Sequence, residues 1–156
     1  MDFKKGIEHL RKSDKELAKI IKEYPEPKIS KSKLYFQSLL RNIIYQQLST
    51  KSAFAIHNRF KKLFSSSTIN PEDVISISIN NLREIGLSRQ KINYIQILAN
   101  EWPAINKKFA NIDSLDDNAI AAELMKVKGI GQWTVDMFLI FSLARPDVFP
   151  TGDLVI

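Results

Sequence analysis

Residues 127–141, VKGIGQWTVDMFLIF, set two glycines two positions apart ahead of a strongly apolar stretch, in a chain that has five glycines in all. The apolar residues that follow recur at helical spacing, so Gln132 to about Ala144 is expected to form a helix entered through a tight turn. A turn this tight needs positive φ, which glycine adopts without steric cost. Gly129 and Gly131 also leave bare backbone N–H groups at the start of that helix, where unpaired donors and the positive dipole end attract a phosphate. Lys126 and Lys128 add charge beside it. On its own, a G-x-G of this kind reads more often as a helix–helix turn with no ligand.

Working outward, almost everything else reads at helical period. DFKKGIEHLRK and DKELAKIIKEY are two short amphipathic helices, with Ser13 and Glu16 as a capping box. Pro25 and Pro27 then break the pattern. Phe36, Leu39, Leu40, Ile43 and Ile44 trace an apolar stripe on a helix from Leu34 to about Gln47, and another helix follows over roughly Lys51 to Phe64. NPEDVISISINN is ambiguous, because Ile75, Ile77 and Ile79 alternate with serines as in a strand. Yet Asn70, Pro71, Glu72 and Asp73 make a good helix start, and a lone strand has no partner, so two short helices are expected. SRQKINYIQILANEW makes the next helix and Asp116–Lys126 another. The fold class is all-α, in one domain over 1–156, with N-terminal helices in 1–33 and the glycine hairpin and its sequel in 116–156.

Composition removes several functions. There are no cysteines, which excludes disulfides, iron–sulfur ligation and thiol nucleophiles, and two histidines make a zinc site unusual. The longest apolar run, around Met137 to Ala144, is too short for a bilayer, and the first residues have no signal-peptide core, so the expected location is cytoplasmic. A net charge of +6 favours a polyanionic partner, though a solvated lysine-rich surface accounts for it as well.

The surrounding pattern carries more. LMKVKGIGQWTVDMFLIFSLARPDVFPTGDLVI resembles the helix-hairpin-helix, Gly/Pro-rich loop and aspartate signature of the DNA glycosylase superfamily, most closely its alkylation-repair branch, 3-methyladenine DNA glycosylase II. FQSLLRNIIYQQLSTKSAFAIHNRF and LREIGLSRQKINYI resemble that branch's preceding segments, in the family's order. The resemblance implies a helix-hairpin-helix DNA glycosylase fold that here lacks its C-terminal helices, since the family continues past the catalytic aspartate, and Leu154, Val155 and Ile156 would begin a buried helix.

It also implies roles. Asp153 falls on the catalytic aspartate, although by itself it reads as the cap of a helix starting at Leu154. Trp133 stands where lyase branches carry their nucleophilic lysine, which implies a monofunctional enzyme that leaves an abasic site. Its π face would instead wall the pocket against a cationic alkylated purine, together with Met137 and Tyr45. Met137 replaces a frequent aromatic of the branch, and either residue reads otherwise as core. Gln46, Gln47 and Leu48 match the wedge that fills the gap left by an extruded base, with Gln47 foremost. Lys128, Gly129, Gly131 and Thr134 would grip the DNA backbone, and the carbonyls of Met125, Val127 and Ile130 would hold a monovalent cation. The implied partner is double-stranded DNA containing alkylated bases, with no membrane, no nucleotide cofactor and no cofactor required. A non-catalytic DNA-binding module and an endonuclease III-like lyase are the competing readings. Trp133, the lack of cysteines and Asp153 speak against them.

Overall fold

The computed structural model describes residues 4–26 and 28–153. Among these residues the regular structure is entirely helical. The elements are α1 (Lys4–Ser13), α2 (Lys15–Glu23), α3 (Tyr35–Tyr45), α4 (Thr50–Lys61), α5 (Pro71–Ser76), α6 (Ile79–Glu84) and α7 (Arg89–Lys108). A 3₁₀ segment (Phe109–Ser114), α8 (Asp117–Leu124) and α9 (Gln132–Phe141) follow.

Local chemistry explains most boundaries. Ser49, Ser78, Ser88 and Asp116 each accept a backbone N–H in the first turn of the helix they precede, α4, α6, α7 and α8 in turn. Ahead of α5, Asp73 Oδ2 accepts the Asn70 N–H at 3.0 Å, and Pro71 presets the first turn, so the alternating serines around Ile75–Ile79 do not make a strand. The expected Ser13 cap is displaced by one residue. Asp14 Oδ1 takes the N–H groups of Glu16 and Leu17 at 2.8 and 2.9 Å, while the Ser13 hydroxyl turns back to the His9 carbonyl at 2.7 Å. A carboxylate accepts two donors at the positive helix end better than a hydroxyl does. Several ends also shift. α3 stops at Tyr45 rather than Gln47, α4 at Lys61 rather than Phe64 and α9 at Phe141 rather than Ala144, and α7 runs on past Trp102 through Pro103. Tertiary cover outweighs the proline there, since Trp102 and Ile105 on either side of it are both buried.

α3 is the centre of the molecule. It packs on α4, α7 and α9, and its Leu39, Leu40, Ile43 and Ile44 are sealed from solvent by side chains such as Ile95, Leu98 and Phe138. Burial of each such side chain contributes about 1.5–3 kcal/mol. α1 and α2 pack on one another and bury none of their residues. The Lys31–Asp113 ion pair at 2.5 Å and the Ser32 N–H to Ser142 carbonyl bond at 2.9 Å tie the following segment to the body.

α9 is apolar nearly all round, and the described residues cover it on part of its circumference only. Val135, Phe138 and Leu139 are buried, whereas Phe141 is 55% exposed. Trp133, Met137 and Phe141, spaced four apart, form one face that lines an open cleft. The expected helix start at Leu154–Ile156 lies outside the described residues.

Candidate active-site cleft

α8 and α9 form the two arms of a hairpin whose turn is Met125–Gly131. Val127 and Ile130 are buried, and the Ile130 N–H bonds to the Val127 carbonyl at 3.0 Å, which closes the turn. Gly129 has φ +97°, and a Cβ there would lie 2.2 Å from Cγ of Tyr94, a ring seated against the turn from α7. Gly131 differs. It is in extended conformation at φ −108°, as the N-cap of α9, with open space where a side chain would project. The expectation of positive φ therefore holds at Gly129 and is corrected at Gly131, where what is gained is access to the N–H groups opening α9.

Beyond α9 the chain turns sharply. Ala144 has φ +55°, and the Leu143 and Arg145 N–H groups bond to the carbonyls of Phe138 and Leu139. Arg145 then anchors the loop to the start of α8. Its Nε lies 3.0 Å from Asp117 Oδ1, and its Nη2 donates to the Leu115 carbonyl at 2.7 Å. The loop returns beside the hairpin, and the Asp153 N–H bonds to the Pro150 carbonyl at 3.0 Å. There the Asp153 carboxylate meets α9, with Trp133 Nε1–H donating to Asp153 Oδ2 at 2.6 Å.

These pieces surround one cleft of about 1190 Å³. Asp153, Trp133, Met137, Tyr45, Gln46, Gln47, Leu48, Gly129, Gly131, Thr134 and Ile130 all line it. Of the residues singled out from sequence, Lys128, Met125 and Val127 do not. Lys128 stands exposed on the turn, while Lys126 pairs with Glu123 at 2.6 Å. Lys108 joins that carboxylate from α7, and the two ammonium groups hold Glu123 below the usual carboxylate range.

Individual positions need revision. Gln46 does not project as a wedge, because its Nε2 donates to the Gly129 carbonyl at 2.9 Å and to Thr134 Oγ1 at 2.8 Å. Thr134 is correspondingly buried, with its hydroxyl engaged from within rather than turned to a phosphate. Gln47 and Leu48 are exposed at the cleft edge, and Gln47 has φ +54°, a rarely populated region for a residue with a side chain. Trp133 is more than a wall, since its indole N–H orients the carboxylate.

Three residues were not found from sequence. Phe141 supplies, one turn beyond Met137, an aromatic edge to the cleft, and the i, i+4, i+8 spacing could have pointed to it. The Arg41 guanidinium sits 4.3 Å from the centroid of the Tyr45 ring, an i, i+4 pair on α3. Lys91 reaches in from α7, with no local sequence signal for its partners. Beside Tyr45, half-buried His57 is kept below the ordinary histidine range by burial first and by Arg41 and Lys61 second.

A hairpin turn with bare N–H groups, an aromatic-lined cleft and a carboxylate held at its side form a site that can receive a flat apolar or cationic group beside an anion-binding helix start. The comparison with known proteins agrees: residues 40–156 match the HhH-GPD superfamily of base excision DNA repair proteins, and the chain belongs to that family. It is 33% identical over 144 residues to DNA-3-methyladenine glycosylase 1 of Schizosaccharomyces pombe, covering 91% of this chain. The chain spans 63% of that relative's length. The solved structure of the Schizosaccharomyces pombe 3-methyladenine DNA glycosylase in complex with abasic DNA superimposes with a TM-score of 0.86 at 32% identity, over 96% of this chain and 75% of that one. The crystal structure of a DNA-3-methyladenine glycosidase from Bacillus halodurans gives 0.79 at 32% identity, over 99% and 71%.

The Trp133–Asp153 bond yields a direct expectation. Trp133→Phe keeps an aromatic ring in the wall and removes the donor. A hydrogen bond to a charged group is worth about 1.5–3 kcal/mol, so the base release proposed below should fall about 10- to 150-fold. Affinity for undamaged duplex should stay within about twofold, because the N–H faces the carboxylate and not a phosphate. Parallel release and binding assays check this; equal losses in both would contradict it.

Proposed function

We propose that this chain is a monofunctional DNA glycosylase that hydrolyses the N-glycosidic bond of alkylated purines, such as 3-methyladenine, in double-stranded DNA and leaves an abasic site. The observation that carries the reading is the Asp153 carboxylate, held by the Trp133 indole at 2.6 Å on the wall of an aromatic-lined cleft beside the hairpin. The names of the relatives, 3-methyladenine glycosylases, support the substrate class.

The chemistry asks little beyond this. Alkylation at N3 or N7 makes the purine cationic, so it departs with the electron pair of the C1′–N bond and becomes neutral without needing a proton donor. The sugar is left with oxocarbenium character, which a fixed carboxylate opposite it stabilises. Water adds to C1′, and its proton passes to Asp153 or to solvent. Trp133, Met137 and Phe141 offer apolar and π surface to the extruded base. Supporting hydrolysis over strand cleavage, the described residues lining the cleft include no lysine that could form an imine with the sugar.

Phosphate contacts fall to the Gly131 end of α9 and to exposed Lys128. No cofactor is needed for this reaction. A monovalent cation at the carbonyls of Met125, Val127 and Ile130 would add a second link to phosphate, and the Val127 carbonyl, which accepts the Ile130 N–H, keeps a lone pair for it. No described helix is long and apolar enough to cross a membrane. On this reading the protein is cytoplasmic, and nucleoid-associated if its source is prokaryotic.

The test is chromatography of bases released from methylated duplex DNA. Free 3-methyladenine is expected, together with abasic sites whose strands break only after alkali. Binding without release would favour a DNA-binding module, and strand breakage without alkali would favour a lyase.

A further inference from the structure

The segment that leaves α3, Gln46–Leu48, is held from two directions by groups that no catalytic step uses. From α7, half-buried Lys91 extends its ammonium to the Ile44 carbonyl at 2.6 Å and the Gln46 carbonyl at 2.7 Å. These are carbonyls at the end of α3, where the helix leaves acceptors unpaired and presents its negative dipole end. Burial keeps Lys91 below the ordinary lysine range. A compact ammonium with three donors suits two converging carbonyls, which a planar guanidinium fits less well. From the other side, the Gln46 carboxamide is fixed to the Gly129 carbonyl and the Thr134 hydroxyl. The residue that follows these anchors at the cleft edge is Gln47, at φ +54° and exposed. A non-glycine residue persists in such a conformation only where its surroundings over-determine it.

We propose that Lys91 and Gln46 are positioning residues that pre-set the Gln47–Leu48 tip, and that Gln46 couples the phosphate-gripping hairpin to it, so that engaging the backbone and extruding a base are one rigid event. The proposal rests on the glycosylase reading above, in which this tip enters the duplex. A loose tip would still meet DNA through the hairpin. It would first have to order itself before displacing a base, so the defect falls on extrusion and not on binding.

The experiment uses the whole chain and a duplex with 2-aminopurine at the target position, whose fluorescence rises when it is unstacked, alongside a duplex in which the target is already unpaired in a bulge. For Lys91→Met and Gln46→Leu, the extruded population in the paired duplex should fall about 10- to 100-fold, the scale of losing charge-assisted or paired hydrogen bonds. Affinity of Lys91→Met for undamaged duplex should hold within about twofold, since Lys91 bonds the end of α3 and leaves the hairpin untouched. The bulged target should respond nearly as with the unaltered chain, and Lys91→Arg should recover part of the loss. Unchanged extrusion in both variants, an equal loss on paired and bulged targets, or no fluorescence rise with the unaltered chain would overturn the proposal. If Lys91→Met fails to melt cooperatively, Gln46→Leu decides alone. The fluorescence needs no catalysis. An unaltered chain that extrudes the probe but releases no alkylated base would count against the function and leave the positioning role standing.

Discussion

Asp153→Asn should abolish base release while leaving the protein folded and bound to DNA. The amide is nearly isosteric with the carboxylate, and its oxygen can still accept the Trp133 indole N–H that now lies 2.6 Å from Oδ2. The turn around it is held in part by backbone, through the Asp153 N–H to the Pro150 carbonyl at 3.0 Å. What disappears is the negative charge that, in the proposed reaction, would face the sugar. Removing one preorganised group of this kind typically costs about 10²–10³ in rate, or about 2.7–4 kcal/mol. Loss of a full charge against a cationic transition state should reach at least that. Single-turnover release from methylated duplex measures the rate, and a parallel titration measures affinity. Release within about threefold of the unaltered chain, well inside the expected loss, would remove Asp153 from the reaction.

The same substitution separates charge from orientation when set beside Trp133→Phe. One removes the charge and keeps the bond; the other keeps the charge and removes the bond. If position matters as well as charge, the phenylalanine variant shows the smaller loss and the two together lose less than the product of the single effects, because both act through one carboxylate.

What the sequence reveals follows the range over which its signals act. Capping, helix periodicity and the G-x-G turn are local, and they place the helices, the hairpin and the ambiguous α5–α6 region correctly. Ser13 and Asp14 differ by one position because adjacent cap formers compete, and only the folded geometry shows which side chain reaches two N–H groups. The cleft is partly legible, since Trp133, Met137 and Asp153 sit in one resemblance-bearing stretch. Its internal bonding is not. Gln46 and Thr134 are 88 residues apart, and Lys91 and the Gln46 carbonyl 45 apart. No periodicity relates such pairs, so a polar residue at the end of α3 reads as a solvent-facing wedge until the hairpin is seen to occupy its amide. The open face of α9 is hidden for a similar reason. Apolar side chains that fill a core and ones that line a cleft are chemically alike, and only the folded structure puts Trp133, Met137 and Phe141 along the cleft.

Gly129→Ala should be the most destabilising single methyl that can be added at the hairpin. Two penalties coincide there. The backbone stands at φ +97°, where a Cβ costs roughly 1–2 kcal/mol. The new atom would also fall 2.2, 2.5 and 2.6 Å from Cγ, Cδ2 and Cδ1 of Tyr94, all far inside contact distance. That ring cannot easily retreat, because its hydroxyl accepts from Gln90 Nε2 at 2.6 Å and it rides on α7 beside buried Ile92 and Ile95. Overpacking of this kind costs typically about 1–3 kcal/mol. The sum, about 2–5 kcal/mol, corresponds to a fall of roughly 4–20 °C in Tm at about 2–4 °C per kcal/mol for a chain of this size. Gly131→Ala is the control, since its backbone is extended and nothing lies within 4 Å of the added Cβ. Its Tm should move little, and any defect should lie in DNA affinity, where the methyl stands between a phosphate and the N–H groups of α9. Set against Tyr94→Ala alone, which loses its own packing on the core, the added Gly129→Ala should cost only the part due to φ. Thermal melts of the unaltered chain and the four variants decide the matter. A Gly129→Ala chain that melts with the unaltered one would mean that the turn can adopt another conformation, and that the close seat of Tyr94 against the hairpin does not hold it in place.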